Sequence, residues 1–138
     1  MSQENVEVVR AIYEAWQRDY ESAFDYFAED VEWYEPPDVS GGNVAYGREA
    51  ARRSLNRWIG TWSDYRYELR ELIDAGDRVF VGGWQSGRGK GSGVETSEEI
   101  FSVWTLRAGK AVQQRMFRER TQALEAAGLS EQDAHADP

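Results

Sequence analysis

The chain of 138 residues holds no cysteine and one histidine, so its reactive groups are mainly carboxylates, tyrosines, arginines and amides. Glu35 is the carboxylate of most interest. It closes the run Val31-Glu32-Trp33-Tyr34-Glu35, which reads as a strand stopped by Pro36-Pro37, since proline cannot donate to a ladder. Alternation sets Glu35 on one face with Trp33 and Val31, and Tyr34 with Glu32 on the other. A carboxylate beside an indole on an inward face is partly desolvated. Desolvation raises carboxylate pKa values, which suits proton transfer near neutral pH. The plainer alternative is a strand-end glutamate in water or paired with an arginine. The last strand supplies a second group, with Gln114, Met116 and Arg118 alternating onto one face and Gln113, Arg115 and Phe117 onto the other. A Gln-Met-Arg face suits a pocket wall. Arg118 would bind an anionic ligand bidentately or hold Glu35 ionised, unless it is a surface arginine at a strand end.

Other chemistry finds no residues to use. Without cysteine there are no disulfides, no thiolate nucleophile and no thiolate-bound zinc. His135 lies in an expected tail, which leaves no histidine base, triad or histidine-rich metal site. Asp74, Asp77, Asp133 and Asp137 make no metal-ligand spacing. The glycine run at 87–93 is not a phosphate loop, because Gly89-Lys90 is followed by Gly91 and Trp84 stands five positions before Gly89. No Gly-x-Gly-x-x-Gly fingerprint occurs, and the run reads as a hairpin loop. No cofactor and no metal are expected.

A net charge of −9 repels phosphate backbones and anionic membranes, so neither nucleic acid nor a membrane is an expected partner. The polar, acidic opening residues 1–7 lack a secretory pattern, and no apolar run could cross a bilayer. A cytoplasmic location is expected. Six tryptophans and seven tyrosines each need room for a ring and a polar tip, in a core or a pocket wall.

The elements that must position these groups follow from spacing. Ser2 caps a first helix whose stripe is Val6, Val9, Tyr13, Trp16 and Tyr20. A short second helix begins near Ser22, carries Phe24 and Phe27, and ends at the acidic Glu29-Asp30 pair. After the first strand, residues 38–47 form a Gly-rich loop. A third helix spans 48–62 with Ala51, Leu55, Trp58 and Trp62 on one side. A β-meander follows, with strands at 65–73, 79–86, 94–106 and from 110 to about 119. Turns lie at 75–77 and 108–110, and Gly82-Gly83 marks a bulge or bend. A last helix covers 122–127, and 130–138 reads as a disordered tail. This order predicts one α+β domain over residues 1–129, with the helices on one face of a strongly bent antiparallel sheet. The stripe of Tyr13, Trp16, Trp58 and Trp62 is either core or pocket.

Four segments in order carry a resemblance: Glu4-Asn5-Val6-Glu7-Val8-Val9-Arg10, Phe27-Ala28-Glu29-Asp30-Val31-Glu32-Trp33 with Glu35-Pro36, Tyr46-Gly47-Arg48-Glu49, and Val103-Trp104-Thr105-Leu106 leading to Gly109-Lys110. Together they resemble the NTF2-like superfamily, in its SnoaL-like branch of polyketide-cyclase and ketosteroid-isomerase relatives. The resemblance implies a cone-shaped curved sheet wrapped around helices and an internal pocket, and a homodimer through the outer sheet face. Glu35 before Pro36 falls where ketosteroid isomerases place a carboxylate base. Ser102 falls on their second carboxylate, and Tyr13 is an off-register counterpart of their helix-one tyrosine. The Asp-Arg-Asp set of related epoxide hydrolases is not evident. The implied ligand is a hydrophobic or amphipathic small molecule, with Trp16, Phe27, Trp33, Trp58, Trp62, Trp104, Gln114 and Met116 as its candidate contacts. Two functions are implied. One is a cofactor-independent isomerase, cyclase or dehydratase, in which Glu35 removes a proton next to a carbonyl and Arg118 or Ser102 stabilises the enolate. The other is a non-catalytic domain binding an amphipathic or anionic molecule, with Glu35 neutralising Arg118.

Overall fold

Val6, Val9, Ile12, Tyr13 and Ala15 form the buried stripe of α1 (Ser2–Arg18), and their spacing lays one face of the helix along a sheet. The computed structural model describes residues 2–36 and 44–135. After α1 a 3-10 turn (Tyr20–Tyr26) leads into β1 (Phe27–Tyr34), then β2 (Val44–Tyr46), α2 (Arg48–Gly60), β3 (Trp62–Ala75), β4 (Arg78–Gly89), β5 (Glu95–Arg107), β6 (Lys110–Phe117), α3 (Arg120–Ala127) and α4 (Glu131–His135). The six strands form one curved, unclosed sheet in the order β2-β1-β6-β5-β4-β3. The α+β architecture matches the sequence reading. All pairs are antiparallel except β1 with β6, which run parallel because the chain crosses the whole meander before returning to β1.

Several boundaries differ from expectation. Phe27 belongs to β1 and not to a second helix, and the acidic Glu29-Asp30 pair lies inside that strand. Phe27 is wholly buried, so its burial outweighs the local helical pattern. Trp62 opens β3 because α2 ends at Gly60, where the Thr61 hydroxyl donates to the Trp58 carbonyl. The expected Gly-rich loop contains β2 near its end, while residues 38–43 of it lie outside the described residues. Helix α4 stands where a disordered tail was expected, and residues 136–138 are outside the description.

The sheet has two differently covered faces. Val79, Val81, Ile100 and Trp104 point to α1 and α2 and join the main core with Phe24, Phe27, Val31 and Trp33. Their strand neighbours Phe80, Phe101, Val103 and Phe117 point the other way and are covered by Ala123, Leu124 and Ala127 of α3. The helices therefore occupy both faces, contrary to the expectation of one. Arg120 fixes α3 in place by a bidentate pair with Glu71, whose Nη2–Oε1 arm measures 3.0 Å. A homodimer through the outer face would have to use the part that α3 leaves uncovered. The register of β3 on β4 shifts between Leu69 and Glu71, opposite Gly82 and Gly83. The irregularity predicted from the two glycines thus sits across from them, and such a bulge bends a strand.

Candidate functional site

Between the sheet's inner face and the two long helices lies a cavity of about 1110 Å³. Tyr13 and Trp16 reach it from α1, Trp33 from β1, and Trp58 from α2. Tyr65 and Tyr67 come from β3, Gln85 from β4, Ser102 and Trp104 from β5, and Gln114 and Met116 from β6. The wall is largely aromatic, as the tryptophan and tyrosine content foreshadows.

The polar groups in this wall are amides, hydroxyls and indole N–H groups, with Arg66, Glu68 and Arg70 bordering it as well. Trp104 Nε1 donates to the Tyr13 hydroxyl at 3.1 Å, and the Tyr13 ring stacks on Tyr67. Gln85 is wholly buried, and its Oε1 accepts from Trp58 Nε1 at 2.9 Å and from the Tyr65 hydroxyl at 3.0 Å. Its Nε2 has no hydrogen-bond partner among the described residues, and neither do Trp16 Nε1 and Trp33 Nε1. All three are buried and belong to cavity-lining side chains. Trp84 Nε1 is likewise unpartnered; its register with Glu68 and Glu99 sets it on the other face of β4, and Trp84 and Glu68 still border the same opening. Burial holds the hydroxyls of Tyr13, Tyr65 and Tyr67 well above the ordinary tyrosine value. Tyr20 is pushed up to about 12 for the same reason, with Glu21 adding to it. These phenols are therefore neutral hydrogen-bonding groups near pH 7 and not bases.

The two charged residues singled out from the sequence are not brought together. The Glu35 side chain is only 5% exposed, but it is not among the residues lining the cavity, and its partner is Arg57 Nη2 at 3.5 Å. Arg57 itself is 61% exposed, so the carboxylate is buried and its cation is not. Arg118 lies beyond the end of β6, where its Nη1 meets Glu98 Oε1 at 2.6 Å and its guanidinium sits 5.5 Å from the Trp58 ring centre. It lines a separate pocket of about 340 Å³ together with Trp62. A Glu35–Arg118 pair is thus replaced by two pairs with other partners, because Arg118 projects past the strand whose inner face carries Gln114 and Met116. Ser102 does reach the cavity. Of the proposed ligand contacts, Trp16, Trp33, Trp58, Trp104, Gln114 and Met116 line it. Phe27 stands behind them, packed on Trp33 and Trp104. Among the described residues no cluster of three or more histidine, cysteine or acidic side chains could hold a metal.

Gln85, Tyr65 and Tyr67 were missed as site residues. The signal for Gln85 was present, since a lone amide on the apolar side of a buried strand needs partners. The alternation of Tyr65, Tyr67 and Leu69 marked an inward face, but nothing local showed that the face borders a cavity.

A curved six-stranded sheet laid over two helices, with an aromatic, donor-bearing cavity between them, defines the class: a helix-filled α+β roll. Residues 9–114 match the model of the SnoaL-like domain, and the chain belongs to that family. In three dimensions it is similar to an NTF2-like protein from Burkholderia thailandensis, with 27% identity and a TM-score of 0.76 over 91% of this chain and 97% of that one. It is similar to TerC co-crystallised with polyporic acid, with 26% identity and a TM-score of 0.71 over 91% of this chain and 98% of that one. A protein of ketosteroid isomerase-like fold from Catenulispora acidiphila, in complex with trimethylamine, shares the fold at 20% identity and a TM-score of 0.69, over 90% of this chain and 94% of that one. No curated protein matches the chain.

Proposed function

We propose that the chain binds a flat, amphipathic small molecule rich in hydrogen-bond acceptors within the aromatic cavity. The observation that carries this reading is the aromatic chamber, whose lining side chains Trp16, Trp33, Trp84 and Gln85 each bring a buried donor with no partner among the described residues. A buried donor without a partner costs roughly 1–3 kcal/mol, and a small turn of the side chain toward a ligand carbonyl in the chamber recovers it. Aromatic walls supply stacking area for a planar ring system. The chamber is of the size used for small ligands. The co-crystal of the similar TerC with polyporic acid supports uptake of a small organic molecule by this fold. The test uses menadione, a flat and uncharged ring with two carbonyl acceptors, followed by calorimetry. Saturable binding that weakens in Trp33→Phe supports the reading, and no binding to the wild-type chain refutes it.

A second reading is favoured by one observation: Glu35 is a buried carboxylate just past the end of β1, two residues after the cavity-lining Trp33. In it the chain is a cofactor-independent isomerase, cyclase or dehydratase with Glu35 as general base, and the ligand must reach Glu35 past Trp33. Exchange of a bound ketone's α-protons for deuterium, followed by NMR, tests it. Exchange lost in Glu35→Gln supports catalysis by Glu35, and exchange unchanged in that variant excludes it.

A further inference from the structure

The large cavity and the smaller pocket beside Arg118 share one lining residue, Trp58. We propose that Trp58 is the partition that limits the length of the ligand, so that its side chain determines which members of a chemical series the cavity admits. This rests on the binding reading above and adds a specificity-determining residue to it.

Trp58 is held from both sides. Its Nε1 donates to Gln85 Oε1 at 2.9 Å on the side of the large cavity. On the side of the small pocket the Arg118 guanidinium lies 5.5 Å from its ring centre, and Glu98 anchors that guanidinium through the 2.6 Å contact. An indole fixed by a hydrogen bond at its edge and a cation at its face has little rotational freedom. A rigid ring between two spaces of about 1110 Å³ and 340 Å³ acts as a wall. The position is half-buried on α2, four residues before the backbone turns into β3 at Trp62. Beyond the wall, the Trp62 ring offers apolar surface to the end of an alkyl tail, beside the Thr96 hydroxyl and the Glu98–Arg118 pair. Were Trp58 only a packing residue, its truncation would cost stability without changing which ligands fit.

The experiment measures calorimetric affinities of wild type, Trp58→Ala and Trp58→Leu for menadione and for neutral homologues whose ring carries a saturated alkyl tail, lengthened one methylene at a time. In the wild-type chain affinity is expected to stop rising at a definite tail length. In the variants the rise continues past that length, by about fourfold for each further methylene buried. Trp58→Leu keeps apolar bulk at the site and decides the matter should Trp58→Ala fail to fold. Binding of the parent ring with the same length limit in wild type and variant overturns the role of Trp58 and leaves the cavity reading standing. No binding of any homologue to the wild-type chain overturns both.

Discussion

Gly83→Ala is the sharpest test of how the cavity wall is built. A Cβ at this position would stand 2.3 Å from the Tyr67 hydroxyl oxygen, 2.5 Å from its Cζ and 2.6 Å from the Glu68 carbonyl oxygen. All three distances fall far inside van der Waals contact. The phenol cannot simply swing aside, because its ring stacks on Tyr13 with centres 5.3 Å apart. The carbonyl belongs to the β3 backbone, where Leu69 pairs with Gly83 and Glu68 with Trp84. Overpacking of this kind costs typically 1–3 kcal/mol, and the need to move both a ring and a strand places the expected cost at about 2–3 kcal/mol. Urea denaturation reads it as a lower midpoint at unchanged slope. Gly60→Ala is the control, since a Cβ there meets nothing within 4 Å and alanine is the better helix former by roughly 0.5–1 kcal/mol. A Tyr67→Ala background removes the two phenol contacts and keeps the one with the Glu68 carbonyl, so Gly83→Ala should cost about 1 kcal/mol less than in wild type. A cost within about 0.5 kcal/mol of zero, or one unaffected by Tyr67→Ala, refutes the placement of the phenol over the glycine.

The buried tyrosines predict alkaline instability. Their folded-state values are raised above the ordinary 10, so the native chain keeps protons that the unfolded chain releases. The stabilisation is complete below pH 10 and is lost as pH rises through about 12, the value for Tyr20. Urea midpoints should fall over this interval while phenolate absorbance lags behind the tyrosine content, and a flat midpoint would contradict it. Arg57→Ala should lower the urea midpoint by the equivalent of about 1–3 kcal/mol, more than an exposed ion pair is worth, because it leaves the buried Glu35 carboxylate without its cation. Glu35→Gln should change menadione affinity by less than about twofold, since Glu35 does not line the cavity, and a larger loss by calorimetry would place Glu35 in contact with the ligand.

The meander was legible because strands of alternating type are local: Tyr65, Tyr67 and Leu69 against Arg66, Glu68 and Arg70 declare two faces without help from distant residues. The stripe of α1 was legible for the same reason. What failed were places where a distant contact overrides a local pattern. Phe27 continues a helical spacing but is drawn into β1 by burial against Trp33 and Trp104. The outer-face cluster of Phe80, Phe101 and Phe117 reads as part of an apolar strand, and only the return of α3 shows which side it covers. The site followed the same division. Inward aromatic residues were identifiable by type, whereas the partners of Glu35 and Arg118 depended on where α2 and β5 bring Arg57 and Glu98. Periodicity shows a face, but pairing between charges is set by tertiary geometry.

The four buried, unpartnered donors around the chamber are a substantial burden on a fold of this size. At roughly 1–3 kcal/mol each when dry, they weigh heavily against a net stability of about 5–15 kcal/mol. A wall built for stability alone would carry phenylalanine or leucine at those points, because apolar groups of similar shape leave nothing unsatisfied. Trp33→Phe separates the two demands, since it keeps a ring at a buried position and removes only the N–H and part of the bulk. If Trp33 serves a ligand, the ligand-free variant should lie within about 1 kcal/mol of wild type in urea, the relieved donor offsetting the lost packing, while menadione binds about tenfold more weakly. If Trp33 is core alone, the ligand-free variant shows the same balance of relieved donor and lost packing, and its menadione affinity stays at the wild-type value. Affinity therefore distinguishes a cavity shaped for a ligand from a cavity left by imperfect packing, and the urea midpoint shows that the variant is folded.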